Sequence, residues 1–172
     1  MPVLLAIDIG VKTGLALYGH DGRLLWYRSQ NFGTAQRLRR GVRSVLDTLP
    51  YLAWLVLEGG GPLADIWRRE ATRRQVPVRQ ISAEAWRRQF LYTREQRSGA
   101  QAKESATELA RRVIIWSGAR RPTSLRDDAA EAILIGLWGA LAVGWLADLP
   151  EAVRRCAPVG RERHHSTQPR SR

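Results

Sequence analysis

The chain has 172 residues, 44% hydrophobic and 26% charged, proportions that suit a single globular domain with a buried core and exclude an internally repeated or fibrous chain. Lys and Arg number 28 against 16 Asp and Glu, a net charge of +12, and most of the cations are arginine, whose planar fork pairs with phosphate at any physiological pH. That balance points to a polyanionic partner, nucleic acid first, while the lone Cys156 excludes an internal disulfide and a cysteine zinc site.

Val3–Ile9 is a short apolar run entering a Gly-rich turn. It reads as a buried strand, not a secretion signal. Gly10–Gly14 reads as a tight turn and Leu15–Tyr18 as a second strand. His20-Asp21-Gly22 is a hairpin signal leading to a third strand, Arg23–Arg28, so three antiparallel strands open the fold. Thr34–Thr48 carries Leu38, Val42, Val45 and Leu46 at helical spacing, with Thr34 placed to cap it. Tyr51–Leu57 is a fourth strand, followed by Glu58 and Gly59-Gly60-Gly61-Pro62. Leu63–Gln75 reads as a helix with Trp67 inward and arginines outward. Val76–Ile81 is a fifth strand, and Ser82 caps a short helix holding Trp86 and Phe90. A polar loop, Tyr92–Gln101, precedes a helix over Ala102–Trp116 and a long apolar helix over Arg126–Leu146.

Ala129–Leu149 is long enough to raise a membrane span, yet it opens on acidic residues and contains Gly136, Gly139, Gly144 and Asp148. It reads as a buried helix of a cytoplasmic protein with no membrane partner. Residues 1–150 form the expected domain, and residues 151–172 a basic tail with little apolar content. Strands followed by alternating helices and strands give an α/β layered fold with a mixed five-stranded sheet flanked by helices, strands one, four and five being parallel neighbours.

Three acidic positions stand out. Asp8 and Glu58 each end an apolar strand beside a glycine turn, where a carboxylate is costly unless paired or bound to metal. If their strands are neighbours, the two emerge side by side at the carboxyl edge of the sheet, where open α/β sheets hold ligands. Asp127-Asp128-Ala129-Ala130-Glu131 opens the last helix, and both Asp128 and Asp127 share a helix face with Glu131. Taken singly, Asp8 reads equally as a turn cap, Glu58 as a solvated strand end, and Asp127-Asp128 as an ordinary helix N-terminus. Together they form a set of oxygen ligands that suits Mg²⁺ or Mn²⁺, and two such ions about 4 Å apart position and activate water for phosphodiester hydrolysis.

At these residues the sequence resembles the RuvC-type Holliday junction resolvases, especially their divergent phage-like and organellar branches. Ala6-Ile7-Asp8-Ile9-Gly10 with Thr13-Gly14-Leu15-Ala16 is similar to the first motif of that family, Val56-Leu57-Glu58 to the second, and Asp128-Ala129-Ala130-Glu131-Ala132 to the last. Ala85-Trp86-Arg87 and Lys103-Glu104 also resemble the phage-like branch, and the ordered set spans Val3–Gly144. The resemblance implies an RNase H-like fold, a homodimer, two Mg²⁺ per site with Mn²⁺ able to substitute, and paired nicks across a four-way DNA junction. It makes Asp8, Glu58, Asp128 and Glu131 the metal ligands, with Asp127 as the alternative to Asp128. Lys103 becomes a basic residue at the scissile phosphate, although it reads equally as a solvated lysine at a helix start.

The chain departs from the family at Glu131, where Asp is usual, and at Gly59-Gly60-Gly61, which replaces a junction-wedging aromatic. Arg68, Arg69, Arg73 and Arg74 form one basic stretch and Arg87, Arg88, Arg94 and Arg97 a second. Both suit phosphate contacts that position DNA without reading its sequence. Trp138 and Trp145 suit either an apolar dimer seam or burial within one chain. The rival readings are a YqgF-type nuclease of the same fold acting on structured RNA, and a branched-DNA-binding protein without catalysis. A sugar-kinase-like ATPase needs a duplicated domain for which this chain is too short.

Overall fold

The structure, a computed structural model, describes residues 1–96 and 98–154, without the side chains of Arg94 and Gln96. Arg97 and nearly all of the predicted tail, with Cys156, lie outside the described residues.

Three strands open the chain: β1 (Val3–Asp8), β2 (Lys12–Gly19) and β3 (Leu24–Asn31). They pair antiparallel, with β2 between the other two. Helix α1 (Ala35–Asp47) follows, then β4 (Leu52–Glu58), α2 (Gly61–Arg73) and β5 (Val78–Ile81). Strand β4 lies parallel to β1 and β5 parallel to β4, so the order across the sheet is β3-β2-β1-β4-β5. The remaining helices are α3 (Ala83–Phe90), α4 (Gly99–Ser117) and α5 (Asp127–Ala142), with a single 3₁₀ turn at Thr93–Gln96. The expected mixed five-stranded sheet with parallel β1, β4 and β5 is present.

Alternation along the strands divides the core in two. Leu5 and Ile7 of β1, Leu15 and Leu17 of β2, and Leu55 and Leu57 of β4 face α1 and α2. Leu4, Ala6, Ala16, Tyr18 and Val56 face the other way, under α5, with α3 and α4 joining the same cluster. Helix α5 runs across the middle of the sheet. Ala129 to Leu137 of it are buried apart from Glu131, which is only half-buried. Gly136 is the close-approach point, because a Cβ there would lie 2.2 Å from the Tyr18 ring. The Tyr18 hydroxyl then donates to the Ile133 carbonyl at 2.6 Å, which pins the helix to the sheet. Cutting Ile133 back to Ala in such a seat costs about 2–5 kcal/mol.

Boundaries move where tertiary contacts decide them. Strand β2 begins at Lys12 rather than Leu15 because Lys12, Thr13 and Gly14 already pair with Asn31, Gln30 and Ser29, which also lengthens β3. Helix α2 starts at Gly61, with Pro62 in the first turn, where its missing N–H costs nothing. Helix α4 starts at Gly99 because the Ser98 hydroxyl caps it, accepting from the Gln101 N–H at 3.2 Å. Helix α5 stops at Ala142, four residues short of the expected end, where the chain turns at Gly144. Trp138 and Trp145 both pack against the α5-side core of their own chain, and Trp145 also meets the His20 ring at 5.0 Å. Among the described residues no helix is long and apolar enough to cross a membrane.

Candidate active site

One level of the sheet organises the acidic residues. Ser29 of β3 pairs with Gly14 of β2, Gly14 with Asp8 of β1, Asp8 with Glu58 of β4, and Glu58 with Ile81 of β5. Asp8 has the parity of Ala6 and Glu58 that of Val56, so both side chains leave on the α5 face. The parallel pairing of β1 and β4 puts these two carboxylates on adjacent strands.

Helix α5 brings the third. Its first turn sits directly over Gly14: a Cβ at that position would lie 1.8 Å from the Asp128 carbonyl oxygen. Only a residue without a side chain lets the helix approach so closely, and the Thr13-Gly14 motif thereby sets where the helix starts. One turn further on, Glu131 comes down beside Asp8 and Glu58. Ligand oxygens of Asp8, Glu58 and Glu131 all lie within 4.8 Å of one another.

Asp128 is placed differently from the expectation that four carboxylates converge. Its carboxylate accepts from the Ser29 hydroxyl on β3 and, at 2.9 Å, from the Ala129 N–H of its own helix turn. It thus stands on the β3 side of Gly14, while Glu58 lies beyond Asp8 on the other side. Asp127 is further out still, 61% exposed, and pairs with Lys103 of α4 at 3.5 Å. Lys103 therefore meets the outermost acid of the motif, not the inner three.

Helix α3 supplies partners that sequence spacing alone places elsewhere. The Trp86 indole N–H donates to the Glu58 carboxylate. The next residue, Arg87, donates to Glu131 at 3.2 Å, and its guanidinium lies over the Trp86 ring, 5.1 Å from the centroid. The sequence puts Arg87 among phosphate-binding residues and Trp86 in a short helix, within a stretch that resembles the phage-like branch, but gives neither a carboxylate partner. Their adjacency in α3, with Ser82 capping and Phe90 anchoring the helix, is the signal that could have found them.

Electrostatics reflect this crowding. Burial first, then the charges of Glu131, Glu58 and Asp128, push the Asp8 carboxyl from the ordinary 3.8 up to about 7, against a smaller opposing pull from Arg87. Glu58 is also raised, by burial first and by Glu131, with the Trp86 hydrogen bond and Arg87 working against the rise. Three half-buried carboxylates facing one guanidinium form a site that a divalent cation would relieve, and an all-oxygen donor set fits Mg²⁺ or Mn²⁺.

The expected basic stretches divide. Arg68 pairs with Asp65 and reaches Gln80 at 3.3 Å. Arg73 and Arg74 close on the buried Glu70 at 2.6 and 2.9 Å, and Arg74 also reaches Asp47 at 2.7 Å. Arg69 lines a cleft of about 270 Å³ between α1 and α2, together with Arg39, Arg43 and Arg73. Arg88 pairs with Glu84 on the surface. The Arg94 side chain and Arg97 lie outside the described residues.

No protein-family model and no curated protein matches the chain. Among solved structures, it is similar to the fowlpox virus resolvase, whose crystal structure contains its substrate Holliday junction DNA. The TM-score is 0.60 over 82% of this chain and 98% of that one, at 14% identity. The yeast mitochondrial Holliday junction resolvase Ydc2 matches at a TM-score of 0.49 over 83% and 81% of the two chains, at 12% identity. The first likeness, with the sheet order described above, shows that the fold is RNase H-like.

Proposed function

We propose that this chain is a metal-dependent endonuclease that resolves branched DNA of the Holliday-junction type. The observation that carries the reading is the cluster of Asp8, Glu58 and Glu131, built from two adjacent parallel strands and a helix crossing them. The net charge of +12 supports a nucleic-acid substrate, and the likeness to a resolvase fold supports branched DNA over other nucleic acids. Because a four-way junction must be nicked in two strands, the reading includes a homodimer with one such site per chain.

Asp8, Glu58 and Glu131 would hold the cations, two per site, with Asp128 joining after its carboxylate leaves Ser29. Bound divalent cations supply the Lewis acidity that activates water and stabilises the leaving oxygen. Asp8 would bind as the carboxylate, because a metal ligand must be ionised. Lys103, exposed at the rim beside Asp127, is placed to meet a phosphate. Arg68 and Arg69 of α2, the helix that begins three residues after Glu58, would add further backbone contacts.

The deciding experiment compares a labelled four-way junction, a matched linear duplex and a structured RNA, each with Mg²⁺, Mn²⁺ or EDTA. Paired, metal-dependent nicks in the junction alone are expected. Cutting of RNA alone would replace the substrate, and tight junction binding with no cutting under either metal would refute the catalytic reading.

A further inference from the structure

Trp86 is 0% exposed in the α5-side core, and an indole N–H buried there costs free energy unless it finds an acceptor. Backbone carbonyls are the usual partners in such a core. Here the partner is a carboxylate oxygen of Glu58, whose side chain stands at the end of β4 beside Asp8. Helix α3 is firmly seated: Ser82 accepts from the Ala85 N–H at 3.3 Å, and Phe90 is buried at the far end. The indole plane is further covered by the Arg87 guanidinium, which holds Glu131.

We propose that Trp86 is a positioning residue for the carboxylate cluster, its indole N–H fixing one oxygen of Glu58 so that the other is presented toward Asp8 and Glu131 before any cation arrives. The inference rests on the reading of those three acids as metal ligands and adds the residue that sets their geometry. A glutamate carries three rotatable bonds, and immobilising it on cation binding costs side-chain freedom. Trp86 incurs that cost during folding. The chemistry is that of outer partners that orient metal ligands, whose loss weakens metal affinity by about 10- to 100-fold.

The test uses the full chain and Mn²⁺ alone, without DNA, so that it does not depend on cleavage. Trp86 is replaced by 3-benzothienylalanine, which keeps the ring's shape and puts sulfur where the N–H was. The Mn²⁺ dissociation constant from calorimetry should rise about 10- to 100-fold. Trp86→Phe, a weaker mimic that leaves a cavity, should shift it in the same direction. In the unaltered ¹⁵N-labelled chain, the Trp86 indole resonance, identified by its absence from the isostere, should move during a Mg²⁺ titration. An unchanged Mn²⁺ constant in the isostere, or a stationary Trp86 resonance while metal binds, overturns the proposal. If the unaltered chain binds no Mn²⁺, the metal-site reading itself falls, and this inference falls with it.

Discussion

Asp8→Asn separates the cost of the acidic cluster from its use. In the folded chain the Asp8 carboxyl is raised from 3.8 to about 7 by burial and by Glu131, Glu58 and Asp128. At about 1.4 kcal/mol per pH unit, keeping it ionised at pH 8 costs the native state at most about 4 kcal/mol, with water on the open side of the site reducing that figure. A carboxyl whose folded-state value is raised destabilises the fold once the unfolded chain has released its proton. The penalty is absent well below 3.8, grows through the interval up to about 7, and is constant above. Asparagine has nearly the same shape and no charge. In EDTA the wild-type chain should therefore lose roughly 2–3 kcal/mol relative to Asp8→Asn between pH 5 and pH 8. Urea unfolding at the two pH values measures it. With Mg²⁺ or Mn²⁺ at a hundred times the dissociation constant, the gap at pH 8 should narrow by about 2.7 kcal/mol, because the wild type alone gains that from ligand binding. Parallel pH profiles for the two proteins in EDTA would refute the electrostatic argument.

Cleavage of a four-way junction by Asp8→Asn should be abolished with junction affinity retained, as a gel-shift and nicking assay will show; continued nicking removes Asp8 from the catalytic set. Gly14→Ala should destabilise by about 1–3 kcal/mol or prevent folding, since the added methyl meets the Asp128 carbonyl; a wild-type melting curve would contradict that packing. Ser29→Ala frees the Asp128 carboxylate from β3, so Mn²⁺ affinity should rise or stay constant, and a large fall would show that Asp128 is needed where it is. Neutralising Arg68 and Arg69 should reduce the salt slope of junction binding by about one for each phosphate no longer neutralised, whereas Arg74→Gln should mainly lower stability by removing one of the arginines that pair with the buried Glu70.

Much of the fold is legible in the sequence because its strands obey the simplest pattern. Apolar runs ending in Asp8 and Glu58, separated by a hairpin and a crossover helix, leave little choice but neighbouring parallel strands, and the observed pairing of Asp8 with Glu58 follows from that. The caps at Thr34 and Ser82 are equally legible, since each depends on a side chain acting within three residues of itself. Helix ends governed by less regular stretches are not. The early start of α4 depends on Ser98, which lies within the polar run that reads as a loop.

The site is legible in its residue types and only partly in its geometry. Spacing says that Asp128 and Glu131 share a helix face, but not how that face meets the sheet. The meeting is set by Gly14, whose missing side chain lets the α5 backbone settle over β2, midway between Ser29 on one flank and Asp8 on the other. From that seat the two acids of one helix diverge: Glu131 turns toward β1 and β4, and Asp128 toward β3. The basic residues divide for a similar reason. Arg87 lies in α3, on the same side of the sheet as the acids, and is drawn to Glu131. Arg73 and Arg74 lie at the far end of α2, where buried Glu70 takes them. A cation's partner depends on which face of the sheet its helix covers, and with a core split between two faces that assignment becomes visible only once the layers are in place.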